Sequence, residues 1–224
     1  ARRRAAWESL THRTAVIGAG LAGLACARTL RRAGHYVEVF EQDRIIGGRW
    51  RSRLVEFPSR EGLRPTPDRV RETLFNWLGQ DLTGLICLDL FAGSGILGFE
   101  AASRGAAKVV FVERDQRVFQ SLRQNAASLA PETAAGGGLE LHLGDGVKFA
   151  ASAAAAGSGF DLVFLDPPYR QGLLDRTWAH LGGLCRAGAR VYVEAGEAVE
   201  PPGPWRVVRA GTAGQVHFHL LEAT

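Results

Sequence analysis

Four consecutive residues, Asp166, Pro167, Pro168 and Tyr169, follow the apolar stretch FDLVFL at 160–165. Two successive prolines fix two φ angles and remove two N–H donors, so the turn is stiff and its carbonyls face outward unpaired. An amine on a flat ring, or an amide, needs acceptors that orient its two hydrogens. The Asp166 carboxylate and the Pro167 carbonyl supply them, and Tyr169 can stack on the ring. The nitrogen lone pair is then aimed at an incoming methyl group, and the proton leaves to water afterwards. Such a transfer needs no metal and no covalent enzyme intermediate. In-line positioning supplies most of the effect, on the order of 7–11 kcal/mol at best. The plainer alternative is a proline turn that only ends a strand.

A second set of residues could hold the methyl donor. In LICLDLFAGSGILG, 85–98, an apolar strand ends in Asp89 and runs into Gly93, Gly95 and Gly98. The following helix reaches Gly105, and the next strand, KVVFVERD, carries Glu113, placed to accept hydrogen bonds from ribose hydroxyls. Phe91 and Ala92 lie within the same turn. Asp89 stands four residues before Gly93. A carboxylate there repels a pyrophosphate but attracts an amine, so the turn suits S-adenosylmethionine better than a dinucleotide. Asp145, after the strand LELHL, could receive an adenine amino group or simply cap the next helix.

An earlier glycine turn, TAVIGAGLAG at 14–23, has no acid ahead of it. It joins a short strand to a helix ending near Gly34 and to a second strand, HYVEVFEQD. With Gly18, Gly20, Gly23 and Glu41 this is a dinucleotide-type βαβ fingerprint.

The elements around these turns alternate as strand and helix. Helix is expected over 116–129, strands over 139–143, 160–165 and 189–194, and a terminal antiparallel pair over 205–209 and 215–221. His217 and His219 share a face of the last strand. The cysteines, Cys26, Cys87 and Cys185, show no metal or disulfide spacing and are expected as reduced core residues. Hydrophobic residues make up 46% and charged residues 22%, which excludes wholesale disorder. No apolar run is long enough to span a bilayer. No methionine occurs and the sequence starts at Ala1, so the chain is expected to be trimmed or to start elsewhere.

The net charge is +4, and 15 of the 27 basic residues, all arginines, fall within 1–80. That is the footprint of a nucleic-acid enzyme, or of a solvated arginine-rich surface. Arg49, Arg51 and Arg53 alternate on an expected strand and could grip an RNA backbone. Arg64, Arg69 and Arg71 cluster before a helix expected to be capped by Thr66 or Asp68. Arg170, directly after Tyr169, suits a flanking phosphate. Phe75 and Trp77 fit the core better than a cofactor contact.

From Arg44 onward the sequence resembles the bacterial 16S ribosomal RNA guanine-N2 methyltransferases of the RsmD type. The resemblance lies in RIIGGRWR at 44–51, GLRPTPDRVRETLFNWL at 62–78, LDLFAGSGILGFEAASRG at 88–105, FLDPPYRQGLL at 164–174 and AGQVHFHL at 213–220. It implies a class I methyltransferase fold, S-adenosylmethionine as donor and a guanine N2 amine in 16S ribosomal RNA, free or in the assembling small subunit, as acceptor. By the same match Asp89, Gly93, Gly95 and Glu113 would hold the donor, and Asp166 to Tyr169 the target base. Residues 1–43 instead resemble the start of a flavin-dependent amine oxidase. The two likenesses meet at DRIIGGRW.

The expected architecture is therefore α/β. A Rossmann-like doubly wound sheet with a terminal antiparallel hairpin fills 44–224, with 44–71 a basic RNA-contacting part. A short βαβ-like extension covers 1–43. The expected protein is a cytoplasmic monomer without metal or membrane contact. Alternatives are methylation of an adenine, cytosine or glutamine amine, an RNA-binding scaffold without chemistry, and a flavin or nicotinamide oxidoreductase fragment.

Overall fold

A computed structural model of the chain describes residues 13–18, 21–59, 66–130, 138–168 and 172–223. Gln171 and the expected site residues Arg64, Tyr169 and Arg170 lie outside them, as does Gly20.

The strands are β1 (Arg13–Ile17), β2 (Tyr36–Arg44), β3 (Leu54–Pro58), β4 (Ile86–Asp89), β5 (Lys108–Glu113), β6 (Leu139–Leu143), β7 (Phe160–Leu165), β8 (Cys185–Ala195), β9 (Trp205–Ala213) and β10 (Val216–Ala223). The helices are α1 (Leu21–Arg32), α2 (Asp68–Leu78), α3 (Ile96–Ser103), α4 (Gln116–Leu129), α5 (Gly146–Ala155) and α6 (Leu173–Leu184). Seven strands form one sheet in the order β6-β5-β4-β7-β8-β10-β9. The five from β6 to β8 are parallel to their neighbours, whereas β10 runs antiparallel to both β8 and β9. This is the expected doubly wound sheet with its terminal hairpin.

Both faces of the sheet are covered, which is why β5 and β7 read as almost unbroken apolar runs. Cys87, Phe111, Phe164 and Tyr192 pack on one side with α2, α3 and α4. Leu88, Val112, Leu165 and Val193 pack on the other with α5 and α6. Helix α3 is buried at all eight positions, the pattern of a helix enclosed on every side. Helix α2 buries Val70, Leu74, Phe75 and Leu78 along one stripe. Phe75 is core as expected, and Trp77 stacks on Phe218 at 5.3 Å.

The extension folds as a βαβ unit. β1 pairs in parallel with β2, and α1 packs on them through Ala27. Gly18 sits at φ +93°, and a Cβ on Gly23 would strike the Gly18 carbonyl oxygen at 1.7 Å, so the turn closes only with glycine there. β2 also pairs antiparallel with β3, and α4 packs on β3.

Several expectations change. Arg49, Arg51 and Arg53 do not alternate on a strand. Gly48–Trp50 is a 3-10 turn, Ser52 takes φ +70°, and β3 begins only at Leu54. The cause is the docking of this loop on α3. Buried Glu100 accepts the backbone N–H groups of Ile46 and Gly47, and the Ser103 hydroxyl donates to the Gly47 carbonyl at 2.6 Å. Helix α2 carries no side-chain cap: its N-cap is Pro67, because the Thr66 hydroxyl is turned to Glu194. β8 begins at Cys185, four residues earlier than expected, through a register shift against Phe160/Leu162. Only Cys87 is a buried cysteine; Cys185 is half-buried and Cys26 exposed. Among the described residues no helix is long and apolar enough to cross a membrane, and no group of three metal-ligating side chains occurs.

Candidate active site

The strand order reverses between β4 and β7, which opens a crevice at the carboxyl ends of the parallel strands. Acidic residues close four neighbouring strands there. Glu113 ends β5, Asp89 ends β4, Asp166 follows β7, and Glu194 stands one residue from the end of β8. The registers Asp89↔Phe111, Asp89↔Phe164 and Phe164↔Tyr192 put all four on one face, because side chains two apart on a strand point the same way.

Asp89 is 3% exposed and accepts the Gly98 N–H at 3.0 Å. Burial pushes its carboxyl up to about 7; the Gly98 hydrogen bond opposes this, and Glu113 and Glu194 add to it. The turn between Asp89 and α3 is tied to the sheet on both sides. The Leu90 N–H donates to the Phe164 carbonyl at 3.2 Å, and the Ala92 N–H to the Val112 carbonyl at 2.9 Å. Gly93 and Gly95 take φ +52° and +79°. A Cβ on Gly98 would come within 2.2 Å of the Phe111 ring, so the third glycine lets α3 lie close on β5.

Glu113 accepts the Gly93 N–H at 2.9 Å on one oxygen and the Asp115 N–H at 2.6 Å on the other. Each oxygen keeps a further lone pair for a ribose hydroxyl. Asp145 caps α5 by accepting the Lys148 N–H at 2.9 Å, which leaves its second oxygen for another donor. A Cβ on Gly146 would meet the Leu90 carbonyl at 2.7 Å and the Phe91 ring at 2.8 Å. Phe91 and Ala92 are thus held beside the Asp145–Gly146 turn.

On the other side of β4, Pro167 is buried and Asp166 and Pro168 are half-buried. Despite its exposed edge, Asp166 sits low enough in the crevice that desolvation, together with the charges of Glu194 and Asp89, holds its carboxyl well above the usual carboxylate range. A cavity of about 980 Å³ opens beside Pro167 and Pro168, with Trp178 and His217 on its walls.

The structure brings Asp89, Phe91, Ala92, Gly93, Gly95, Glu113, Asp145, Asp166, Pro167 and Pro168 to this one edge. It does not bring there the described arginines of the expected site, Arg49, Arg51, Arg69 and Arg71. Arg49 is exposed and lies 4.8 Å over the Trp50 ring. Arg51 is exposed beside Arg104, just past the end of α3 remote from the glycine turn. An eight-residue helix is about 12 Å long, so the basic loop stands roughly that far from the donor turn. Arg69 is exposed on α2. Arg71 is not a surface residue at all. It is fully buried, and its guanidinium donates to Asp43, Asp68 and the carbonyls of Thr66 and Arg44. With those donors taken and no exposed surface, it has no reach to a phosphate.

Glu194 was missed in the sequence. It is 3% exposed and accepts the Thr66 hydroxyl at 2.7 Å and the Tyr192 hydroxyl at 2.8 Å. The signal was present: VYVE ends an apolar strand in an acid, as LICLD, VVFVE and VFLD do.

The family model described as Conserved hypothetical protein 95 matches residues 43–222. Ribosomal RNA small subunit methyltransferase D of Escherichia coli is 43% identical over 188 residues, 81% of this chain and 90% of that protein. The chain belongs to this RsmD-type methyltransferase family. A solved Escherichia coli chain described as a methyltransferase superposes with a TM-score of 0.69 at 39% identity, covering 81% of this chain and 98% of that one. A second model, for an NAD(P)-binding Rossmann-like domain, matches residues 16–65. A flavin-containing monooxygenase-like protein of Arabidopsis thaliana is 60% identical over 40 residues, 24% of its length. The second likeness covers the βαβ unit and its junction, as the sequence indicated.

The methyl donor of this RsmD-type fold is S-adenosylmethionine, and the residues present fit it. It carries an ammonium group, a ribose and a cationic sulfur. The crevice offers buried carboxyls, a carboxylate with spare lone pairs, and a glycine turn in which added side chains would clash. Asp89 would take the ammonium end, Glu113 the ribose, and Asp145 the adenine.

Proposed function

We propose that the protein methylates the exocyclic N2 amine of a guanine in 16S ribosomal RNA. The observation that carries this reading is the row Glu113, Asp89, Asp166 on one face of adjacent strand ends, with the Pro167–Pro168 turn beside it. The donor supplies a methyl carbon on a positively charged sulfur. Asp89 and Glu113 hold it over the glycine turn. Asp166 and the Pro167 carbonyl accept the two hydrogens of the amine and so direct its lone pair at that carbon. The surrounding carboxyls favour the positive charge that develops on the nitrogen. The acceptor is supported by relatives named for small-subunit ribosomal RNA.

A guanine amine inside a helix is out of reach, so the base must be unstacked and turned into the cavity beside Pro168. The acidic rim of that cavity, Asp175, Glu197 and Glu200, suits a base and repels a phosphate. Phosphates fall instead to exposed Arg49, Arg51 and Arg69, with Arg64 and Arg170 proposed alongside them on sequence alone.

The test is incubation with a methyl-labelled donor and either naked 16S RNA or assembled small subunits, followed by nucleoside analysis. Label in N2-methylguanosine is expected. Label in an adenine or cytosine derivative transfers the site to another amine, and label in protein alone ends the RNA reading.

A further inference from the structure

We propose that Asp166 and Glu194 act as one carboxyl pair that shares a single proton, and that this pair, rather than water, receives the proton the acceptor amine gives up on methylation. The inference rests on the preceding reading for its acceptor but not for the pairing itself.

The pairing comes from the sheet. Phe164 pairs with Tyr192 and Leu165 with Val193, so the next step along β7 and β8 sets Asp166 against Glu194. Both point to the face on which Phe164 and Tyr192 lie ring to ring at 6.3 Å. Glu194 is fixed there: the hydroxyls of Thr66 and Tyr192 converge on its Oε1, and neither is bonded to Oε2. Among the described residues none donates a hydrogen bond to the Asp166 carboxyl, so that carboxyl, one step past the Leu165↔Val193 pair, is the acceptor an Oε2-bound proton would have.

Among the described residues several titratable and charged groups lie near the pair, with His217, Glu197 and Glu200 further along the cavity that Glu194 lines. Asp89 on β4 and, beyond it, Glu113 on β5 are acidic. Tyr192 and Thr66 are hydroxyls. Among the described residues the cation is Arg71 on α2; its terminal nitrogens donate to Asp43, Asp68 and two carbonyls, and its charge still reaches Glu194. Burial pushes both carboxyls upward; the charges of Glu194 and Asp89 add to this on Asp166, whereas the Thr66 and Tyr192 hydrogen bonds and the Arg71 charge oppose it on Glu194. Two neighbouring buried carboxyls, of which only Glu194 is given hydrogen bonds and a nearby cation among the described residues, do not both ionise; one proton stays between them.

The step balances. The amine lone pair forms the bond to the donor's methyl carbon. The carbon–sulfur bond breaks with its electrons left on sulfur. The N–H proton passes to Asp166, and the proton already in the pair shifts onto Glu194. Solvent in the neighbouring cavity, which Glu194 lines, then takes the surplus proton. Glu194 acts through Asp166 and is a positioning residue.

The first test uses ligand-free protein. Thermal unfolding of wild type, Asp166→Asn, Glu194→Gln and the double variant is followed from pH 5 to 8. A shared proton counts in both single variants, so their separate losses of pH dependence sum to more than the loss in the double. Simple additivity means two independent carboxyls and overturns the pairing.

The second test measures methyl transfer against pH. The wild-type profile should carry two ionisations of the pair and the Glu194→Gln profile one. The variant's kcat should fall about tenfold while the calorimetric donor Kd, compared at about pH 8 where Asp89 is ionised in both proteins, is unchanged. A profile of unchanged shape, or full rate, overturns the part assigned to Glu194. If Glu194→Gln does not fold, Thr66→Val removes one donor from Oε1 and should move the profile to higher pH; no movement is equally fatal. Should wild type methylate no guanine amine, the acceptor reading fails while the unfolding arm still decides the pairing.

Discussion

The Arg71 guanidinium grips both oxygens of the Asp43 carboxylate and so bolts α2 to the end of β2. The same side chain reaches Asp68 at 2.6 Å and the Arg44 carbonyl at 2.8 Å. Asp43 is the first residue matched by the family model, so the pair fastens the methyltransferase part where the extension enters it.

Arg71→Met should therefore damage stability rather than RNA affinity. Removing one partner of a buried pair leaves an uncompensated charge and costs about 3–5 kcal/mol. In a chain of this size that lowers the melting temperature on the order of 10 °C. Calorimetric melting checks it. A melting temperature within about a degree of wild type would show that the buried network contributes nothing net.

Arg49→Ala and Arg51→Ala should do the reverse. Both side chains are exposed, so the melting temperature should hold. RNA affinity should fall, and the slope of log affinity against log salt should shrink by roughly 0.7 for each phosphate that is no longer neutralised. Binding measured at several salt concentrations decides it, and an unchanged slope removes the loop from the RNA interface.

Asp166→Ala should abolish methyl transfer, by about 100-fold or more, while donor binding survives. The donor's candidate partners, Asp89 and Glu113, lie on other strands and keep their own backbone hydrogen bonds. Single-turnover transfer beside donor calorimetry separates the two effects. Transfer at a near-normal rate would remove Asp166 from the chemistry.

Gly48→Ala should loosen the basic loop. Gly48 has φ +70°, and a Cβ there would lie 2.1 Å from the Ser103 carbonyl oxygen, which is backbone and cannot turn away. The strain of the left-handed conformation alone is about 1–2 kcal/mol. Faster proteolysis at 45–53 should accompany a lower melting temperature, with donor affinity unchanged.

The donor side of the candidate site, as an arrangement of residues at one sheet edge, was legible because its geometry is local. A glycine turn, an acid four residues before it and an acid on the next strand are all set by chain-neighbouring backbone. The strand pattern was legible for a similar reason: strands buried on both faces read as continuous apolar runs. What stayed hidden depends on contacts distant in sequence. Arg71 looks like its exposed neighbour Arg69, and only the approach of Asp43 across α2 shows it to be structural. Thr66 looks like a helix cap until β8 brings Glu194 to it, 128 residues away. Arg49, Arg51 and Arg53 show the period of a strand, yet Glu100 and Ser103, on a helix about 50 residues further on, fold them into a turn.

With Asp89 as the partner of the donor's ammonium group, donor binding should depend on pH, and the sign follows from the buried state of Asp89. Its carboxyl is raised from 3.8 to about 7, chiefly by desolvation. In the ligand-free protein it contributes stability that is fully present below 3.8 and is lost as pH rises through about 7. A shift of that size corresponds to roughly 4 kcal/mol. Donor binding runs the other way, because an ammonium group is held by the ionised form. Between pH 5.5 and 7 donor affinity should rise up to about tenfold per unit and then level off, with about one proton released on binding in that range. Calorimetry in buffers of different ionisation enthalpy measures both. Asp89→Asn should bind the donor weakly and with a flat pH dependence. A wild-type affinity that is already flat between pH 5.5 and 7 would mean that Asp89 is ionised before the donor arrives.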